Sequence, residues 1–338
     1  MVTRDDVARH AGVSVAVVSY VINNKAVVKE ATRQKVLQSI RELGYNPNLT
    51  ARSLKTRKMN QFGVLFNNIG NSFETGISLG LEQKARGHGQ SLIFQTYARQ
   101  EEDSLKTIFM GRTDAIILFG QSLKAETADH FAGIGVPLFS IMTPELRHAS
   151  VPYADIDWLA AYRALAEHLL SLGHTRIGFM GTRLRETHYE VRFRQFREAL
   201  LAYGIEFRDE WLLRGPFGTL ESAYETMSAR LEASRDLPFT AIVCVNDLMA
   251  IGVLSACRDR GLSVPEQLSV ASSEDILMAN HTSPSLTTIH YPRRDIGHAA
   301  IEAIVSHLNE GTPLTGFMAK HELVVRQSTG QARDTGTS

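Results

Sequence analysis

Val13-Ser14-Val15-Ala16-Val17-Val18-Ser19-Tyr20-Val21-Ile22-Asn23-Asn24 is a short apolar run with two small hydroxyls and one aromatic, and it directly follows Gly12. Ser14 is a favourable N-cap, because its hydroxyl can accept from an amide of the first turn, so the run predicts a helix through about Ile22. Upstream, Thr3 followed by Asp6 is a capping-box-like start, and Asp5 and Asp6 place negative charge where a helix dipole favours it. A first helix is expected from about Arg4 to His10, broken at Ala11-Gly12-Val13, where glycine takes a positive φ cheaply. Two short helices joined by a tight turn result. Val7, Ala8, Val13, Val18 and Val21 can form one apolar seam between them, leaving positions among Val15, Ala16, Val17, Ser19 and Tyr20 to face outward.

Downstream, Val36, Ile40 and Leu43 recur at helical spacing from about Glu30 to Leu43, and Gly44 stands where a C-terminal cap belongs. This third helix closes a small core over residues 1–46. Residues 47–60 read as a hinge helix and linker. Asn48 caps Leu49 to Lys55, about two turns, which is shorter than an isolated helix needs in water, so this piece is expected to order only on DNA or against a second copy.

The formal net charge of zero hides a division. Residues 1–60 hold 11 Lys and Arg against 4 acids, a net +7, and the remaining 25 basic and 32 acidic side chains carry −7. A polyanion partner is therefore expected for the head only. The bland alternative for the head is a helical docking or dimerisation module with a solvated basic face. The start MVTRDDVARHAG is charged where a secretory signal needs apolar residues, and no run of about 18 apolar residues follows, so the expectation is a soluble, cytoplasmic protein. Cys244 and Cys257 are too few for a disulfide framework and fit small buried hydrophobes.

From residue 61 to 330, short apolar runs alternate with helix-like segments. Phe62–Phe66, Ser91–Phe94, Ala115–Phe119 and Pro137–Ser140 read as buried parallel strands, and Arg176–Met180, Ala241–Val245 and Leu268–Ala271 form a second series. Two similar doubly wound α/β lobes follow, with parallel sheets and a ligand cleft beyond the carboxyl ends of their strands. Gly76, Gly80, Gly87 and Gly89 do not make a dinucleotide fingerprint, and no HExxH, Cys/His zinc spacing or GxSxG elbow is present. No catalytic set, metal site or cofactor is called for. Residues 331–338 are small and polar and read as a disordered tail.

The opening run, with Thr32-Arg33, Val36-Leu37, Glu42-Leu43-Gly44-Tyr45-Asn46-Pro47-Asn48 and Ala51-Arg52-Ser53-Leu54, closely resembles the LacI/GalR repressor family. The likeness continues through Asn71-Ser72-Phe73, Leu172-Gly173-His174-Thr175-Arg176-Ile177, Asn246-Asp247-Leu248-Met249-Ala250, Val264-Pro265-Glu266-Gln267-Leu268 and Ser283-Pro284-Ser285-Leu286-Thr287-Thr288. It implies a helix-turn-helix headpiece on a periplasmic-binding-protein-like sensor of two lobes, with crossings near Asp157, Tyr291 and Lys320. It also implies a homodimeric repressor on pseudo-palindromic operator DNA, governed by a small-molecule effector.

Carried over by position, Val15, Ala16 and Tyr20 choose bases in the major groove, and Thr3, Ser14, Ser19, Asn23, Asn48 and Ala51 complete the contact set. Leu54 wedges into the minor groove, and Arg52 and Lys55, with Arg57 and Lys58, meet phosphates. Tyr20 stands where many members have Arg; a hydroxyl lacks the fork that pairs with guanine, so a different half-site is expected. Effector contacts fall on Phe73, Asp157, Arg192, Asn246 and Glu274, a set that suits a carbohydrate or polyol inducer. A purine-type corepressor is the alternative. Departures are Ser272-Ser273-Glu274-Asp275 for the usual Gly-aromatic-Asp-Asp, Trp158 beside Asp157 where Asn is common, Gln195 for a glycine, and Lys29 for a serine cap. A transporter's solute-binding protein, or an α/β enzyme fused to a DNA module, would leave either the basic head or the catalysis unexplained.

Overall fold

The computed structural model describes residues 2–23, 25–46, 58–66, 72–96, 101–120, 123–142, 150–183 and 188–333, with the side chains of 72–74 and 188 not described. The expected hinge helix, with Asn48, Ala51, Arg52, Leu54 and Lys55, and all but the first residues of the tail lie outside this set. The chain divides into two compact units, Met1–Met59 and Asn60–Ser338.

The smaller unit holds three helices, Arg4–Ala11, Val15–Ile22 and Glu30–Leu43. The capping box forms at the first: the Asp6 amide donates to Thr3 Oγ1 at 3.3 Å, and the Thr3 amide donates to Asp6 Oδ2 at 2.9 Å. Gly12 and Gly44 both end their helices with positive φ, +62° and +61°. The first helix runs one residue past the expected end, because the Ala11 side chain is fully buried. The core joins Val7, Ala8, Ala11, Val18, Val21, Val36 and Tyr45, with Val13, Ile40 and Leu43 packed at its edge. Glu30–Leu43 starts without a side-chain cap, as the lysine at 29 foretells.

The larger unit contains two six-stranded sheets of matching order. In the first lobe, β1 (Gln61–Phe66), β2 (Ser91–Thr96), β3 (Ala115–Phe119), β4 (Leu138–Ile141), β5 (Tyr153–Ile156) and β11 (Phe317–Ala319) lie in the order β2-β1-β3-β4-β5-β11. In the second, β6 (Ile177–Thr182), β7 (Leu212–Gly215), β8 (Ala241–Cys244), β9 (Ser269–Ser273), β10 (Thr287–His290) and β12 (Glu322–Val324) lie in the order β7-β6-β8-β9-β10-β12. Central strands are buried along their whole length, β3 and β6 at every residue, as expected when helices cover both faces of a parallel sheet. Val64 of β1 sits between Phe94 and Ile117, and Ile242 of β8 between Gly178 and Val270.

The chain passes between lobes three times, at Asp157, at Tyr291 and at Lys320, each time at the carboxyl end of a strand. After β5 it enters the helix Trp158–Ser171, and after β10 the helix Arg293–Glu310, which packs on the first-lobe helix Ser72–Gly87. The sheets are not wholly parallel: β12 runs antiparallel to β10. The reason is geometric. β11 runs parallel to β5, so it ends at the cleft side, and two residues later the chain can enter the second sheet only from its carboxyl edge and run backward.

Candidate nucleic-acid interface and ligand cleft

On Val15–Ile22, burial of Val18 and Val21 against the other two helices fixes which face turns out. Val15 is 39% and Tyr20 45% exposed, Ala16 is exposed, and Ser19 is half-buried. Thr3, Ser14 and Asn23 are already employed by the backbone: Thr3 in the capping box, Ser14 Oγ accepting from the Val17 amide, and Asn23 Nδ2 donating to the Ser19 carbonyl at 2.8 Å. All three remain exposed, so each keeps hydrogen-bonding capacity for a phosphate. The face therefore offers two small apolar side chains and one phenol, held by a rigid three-helix core.

In the larger unit, residues just past the carboxyl ends of β5, β8 and β9 meet the helix after β6. Arg192 on that helix, His188–Leu201, donates through Nη1 to Glu274 Oε1 at 2.9 Å and to the Val245 carbonyl at 2.9 Å. Glu274 follows β9 and Val245 follows β8. Arg192 and Glu274 are both fully buried. The Arg192 guanidinium lies 4.1 Å from the centre of the Trp158 ring, and Tyr189 flanks it at 5.8 Å. Trp158 in turn meets Tyr291 edge-on at 5.7 Å and Tyr162 at 5.9 Å, while its indole N–H donates to Asp155 Oδ1 at 2.9 Å. A buried ion pair is thus walled by aromatic rings, two of them standing at crossings between the lobes.

The remaining candidates fall differently. Asn246 is fully buried but both ends of its amide are engaged: Oδ1 accepts from the Met249 amide at 2.8 Å and Nδ2 donates to the Gly218 carbonyl at 2.9 Å. It caps the helix Asp247–Asp259. Asp157 is exposed and caps the helix Trp158–Ser171, accepting from the Ala160 amide at 2.9 Å, so the residue of that pair beside Arg192 is Trp158. Glu190 faces away and pairs with Arg214 at 2.8 Å on an open groove of about 740 Å³ that also includes Phe193 and Arg197. That groove lies on the opposite face of the Arg192 helix from the ion pair. The Phe73 side chain is outside the described set.

Residues 3–48 match the bacterial regulatory proteins of the lacI family, and residues 166–329 match a periplasmic binding protein-like domain. Catabolite control protein A of Priestia megaterium is 31% identical over 333 residues, covering 97% of this chain and 99% of its own. The chain belongs to the LacI family. The HTH-type transcriptional repressor PurR of Pasteurella multocida is likewise 31% identical, covering 97% of this chain and 98% of its own. Among solved structures, the transcriptional regulator CelR in complex with cellobiose is 27% identical, with a TM-score of 0.71 over 97% of this chain and all of that one. As a LacI-family member the protein is a DNA-binding transcriptional repressor with a helix-turn-helix head and a two-lobed body. Among the described residues no helix is long and apolar enough to cross a membrane.

Within this LacI-family body the electrostatics are set by burial. Glu274 is pushed up to about 7 by loss of water, against the pull of Arg192. Burial also drives the Tyr162 phenol up to about 12 and that of Tyr291 well above its ordinary value. Asp247 is raised by burial too, although Thr288 Oγ1 donates to its Oδ1 at 2.7 Å and the Ile276 amide to its Oδ2 at 2.8 Å. Trp158, Tyr162, Tyr291 and Asp247 belong to the site and were not among the candidates read from sequence. Trp158 carries a signal, as an aromatic where asparagine is common; Tyr291 is read only as a crossing and Asp247 only as part of the family motif, and Tyr162 has no signal.

Proposed function

We propose that this repressor works in the cytoplasm as a homodimer whose paired heads grip a pseudo-palindromic operator, and that a carbohydrate or polyol inducer bound between the lobes releases it. The observation that carries the ligand reading is the buried Arg192–Glu274 pair at the carboxyl strand ends. It offers a fork of donors beside a carboxylate, within aromatic walls, and Glu274 Oε2 has no hydrogen-bond partner among the described residues. Adjacent hydroxyls of a sugar can donate to the carboxylate and accept from the guanidinium, and an aromatic face suits a pyranose ring. The cellobiose held by the CelR relative supports the same class. Phe73 is proposed to complete the contact set, with Asp157 and Asn246 joining it only by exchanging part of the helix caps they now form.

On DNA, Val15, Ala16 and Tyr20 are proposed to read bases, Leu54 to wedge the minor groove, and Arg52 and Lys55 to meet phosphates, with Thr3, Ser14, Ser19, Asn23, Asn48 and Ala51 placing the head on the duplex. Release follows only if the ligand binds the two lobe arrangements unequally. A corepressor of purine type is the second reading, favoured by the PurR relatives. Selecting operators from random duplexes with the full-length protein, then titrating sugars, polyols and purine bases into an operator-binding assay, separates them. A sugar that weakens binding supports induction; a purine that tightens it overturns the proposal.

A further inference from the structure

Arg293 opens the helix Arg293–Glu310 just after the second crossing, and that helix belongs to the first lobe. Its guanidinium nevertheless reaches the second lobe: Nη2 donates to the backbone carbonyl of Asp275 at 2.6 Å, one residue beyond Glu274. Asp275 is itself held in an uncommon backbone state, with φ +51°. Its carboxylate is fixed from two sides, by Arg326 Nη2 at 2.6 Å and His290 Nδ1 at 2.9 Å. His290 ends β10 at the second crossing, and Arg326 follows β12 after the third. The loop that carries Glu274 is therefore tied to both returning segments and, through Arg293, to the first lobe.

On its other side the Arg293 stem lies over Gly76. A Cβ there would stand 3.1 Å from Arg293 Nε and 3.3 Å from its Cβ, so an alanine would oblige the arginine stem to give way by a few tenths of an ångström. Gly76 sits near the start of the helix Ser72–Gly87, three residues after Phe73. The positive charge is also felt at the ligand site, where it opposes the upward push of burial on both Glu274 and Asp247.

We propose that Arg293 is a positioning residue that couples the two halves of the ligand site, transmitting movement of the Glu274 loop through the Asp275 carbonyl to the first-lobe helix that begins beside Phe73. This role rests on the ligand reading above for its purpose, but the coupling itself is measurable in the ligand-free protein, so a failed sugar screen and a failed coupling are distinguishable.

The test is amide hydrogen exchange on the ligand-free, full-length chain, comparing peptides over 274–280 and over 75–82 with the remote helix 222–233. In Arg293→Ala both of the first two should exchange about tenfold faster while the remote helix is unchanged. Gly76→Ala should accelerate the same two regions by a smaller factor, although alanine by itself favours the helix. Arg293→Lys, which keeps a charge and a donor for the carbonyl, should recover part of the protection at 274–280. Should Arg293→Ala fail to fold, the Gly76→Ala and Arg293→Lys chains carry the test. Acceleration confined to one of the two regions, or absent from both, overturns the proposal.

Discussion

Tyr20 on the small unit is 45% exposed, with no side-chain hydrogen bond among the described residues, whereas Arg192 and Glu274 in the large unit are sealed from solvent and bound to each other. Both are polar groups proposed to meet a partner. The first is presented by a core that needs no rearrangement to offer it. The second is paired internally and leaves Glu274 Oε2 without a partner among the described residues, so a ligand can take up that open acceptor but has to compete with Glu274 and the Val245 carbonyl for Arg192. Under the proposed roles, the reading face needs no preparation, and the sensing wall is where two arrangements would compete. Such competition is what a switch requires, since a ligand shifts an equilibrium only by its unequal affinity for the two states.

Breaking the buried side of this comparison should have the largest effect. Arg192→Ala leaves Glu274 inside without its partner, which costs about 3–5 kcal/mol for a pair of this kind, read as a lower urea midpoint of the large unit. Replacing both, Arg192→Met with Glu274→Leu, should cost less than the single change and abolish the response to any sugar that acts on the wild type. A double variant as unstable as Arg192→Ala would mean that the pair is held by packing rather than by charge.

The next test uses acidity. Glu274 binds its proton more tightly in the folded chain, at about 7, than in the unfolded chain, at its ordinary 4.5. Its contribution is therefore fully present below about pH 4.5, declines as pH rises to about 7, and is constant above that. His174 tilts the other way, because burial lowers its pKa and stability is lost as pH falls below its ordinary 6.5. Subtracting the Glu274→Gln stability curve from the wild-type curve removes the histidine and should leave a downward slope between those limits. A flat difference would place Glu274 in contact with water.

These two regions were also unequally legible. The head is local: Thr3 and Asp6 are three residues apart, Gly12 and Gly44 mark their own turns, and each signal acts within one helical turn. The strands of the body were visible where they are long continuous apolar runs, as at Ala115–Phe119. The three-residue strands Phe317–Ala319 and Glu322–Val324 have no periodic signal, because partners distant in sequence define them. The ligand wall is non-local in the same way. Arg192 and Glu274 are 82 residues apart, and nothing in either neighbourhood says that Trp158 stacks between crossings or that Asp157 is spent as a cap.

A smaller effect is expected at the capping box. Thr3→Ala removes the acceptor for the Asp6 amide and should lower the stability of the small unit by about 1 kcal/mol, measurable on its own thermal transition. Operator affinity should fall further than that loss accounts for, since Thr3 is proposed to help place the head on the duplex; a fall no larger than the stability loss would confine Thr3 to the cap.

Tyr20→Phe should change stability least and meaning most. The ring is half outside, and the hydroxyl supports nothing in the fold, so the melting temperature should stay within the error of a surface change. If the phenol reads a base edge, its loss removes one hydrogen bond, about 1 kcal/mol or roughly fivefold in affinity for the selected operator, with no loss on a random duplex. Tyr20→Arg sharpens the point, since a guanidinium fork should move preference toward guanine at the base this residue faces. Equal loss on selected and random DNA would instead assign Tyr20 to the backbone, and base choice would rest on Val15 and Ala16 alone.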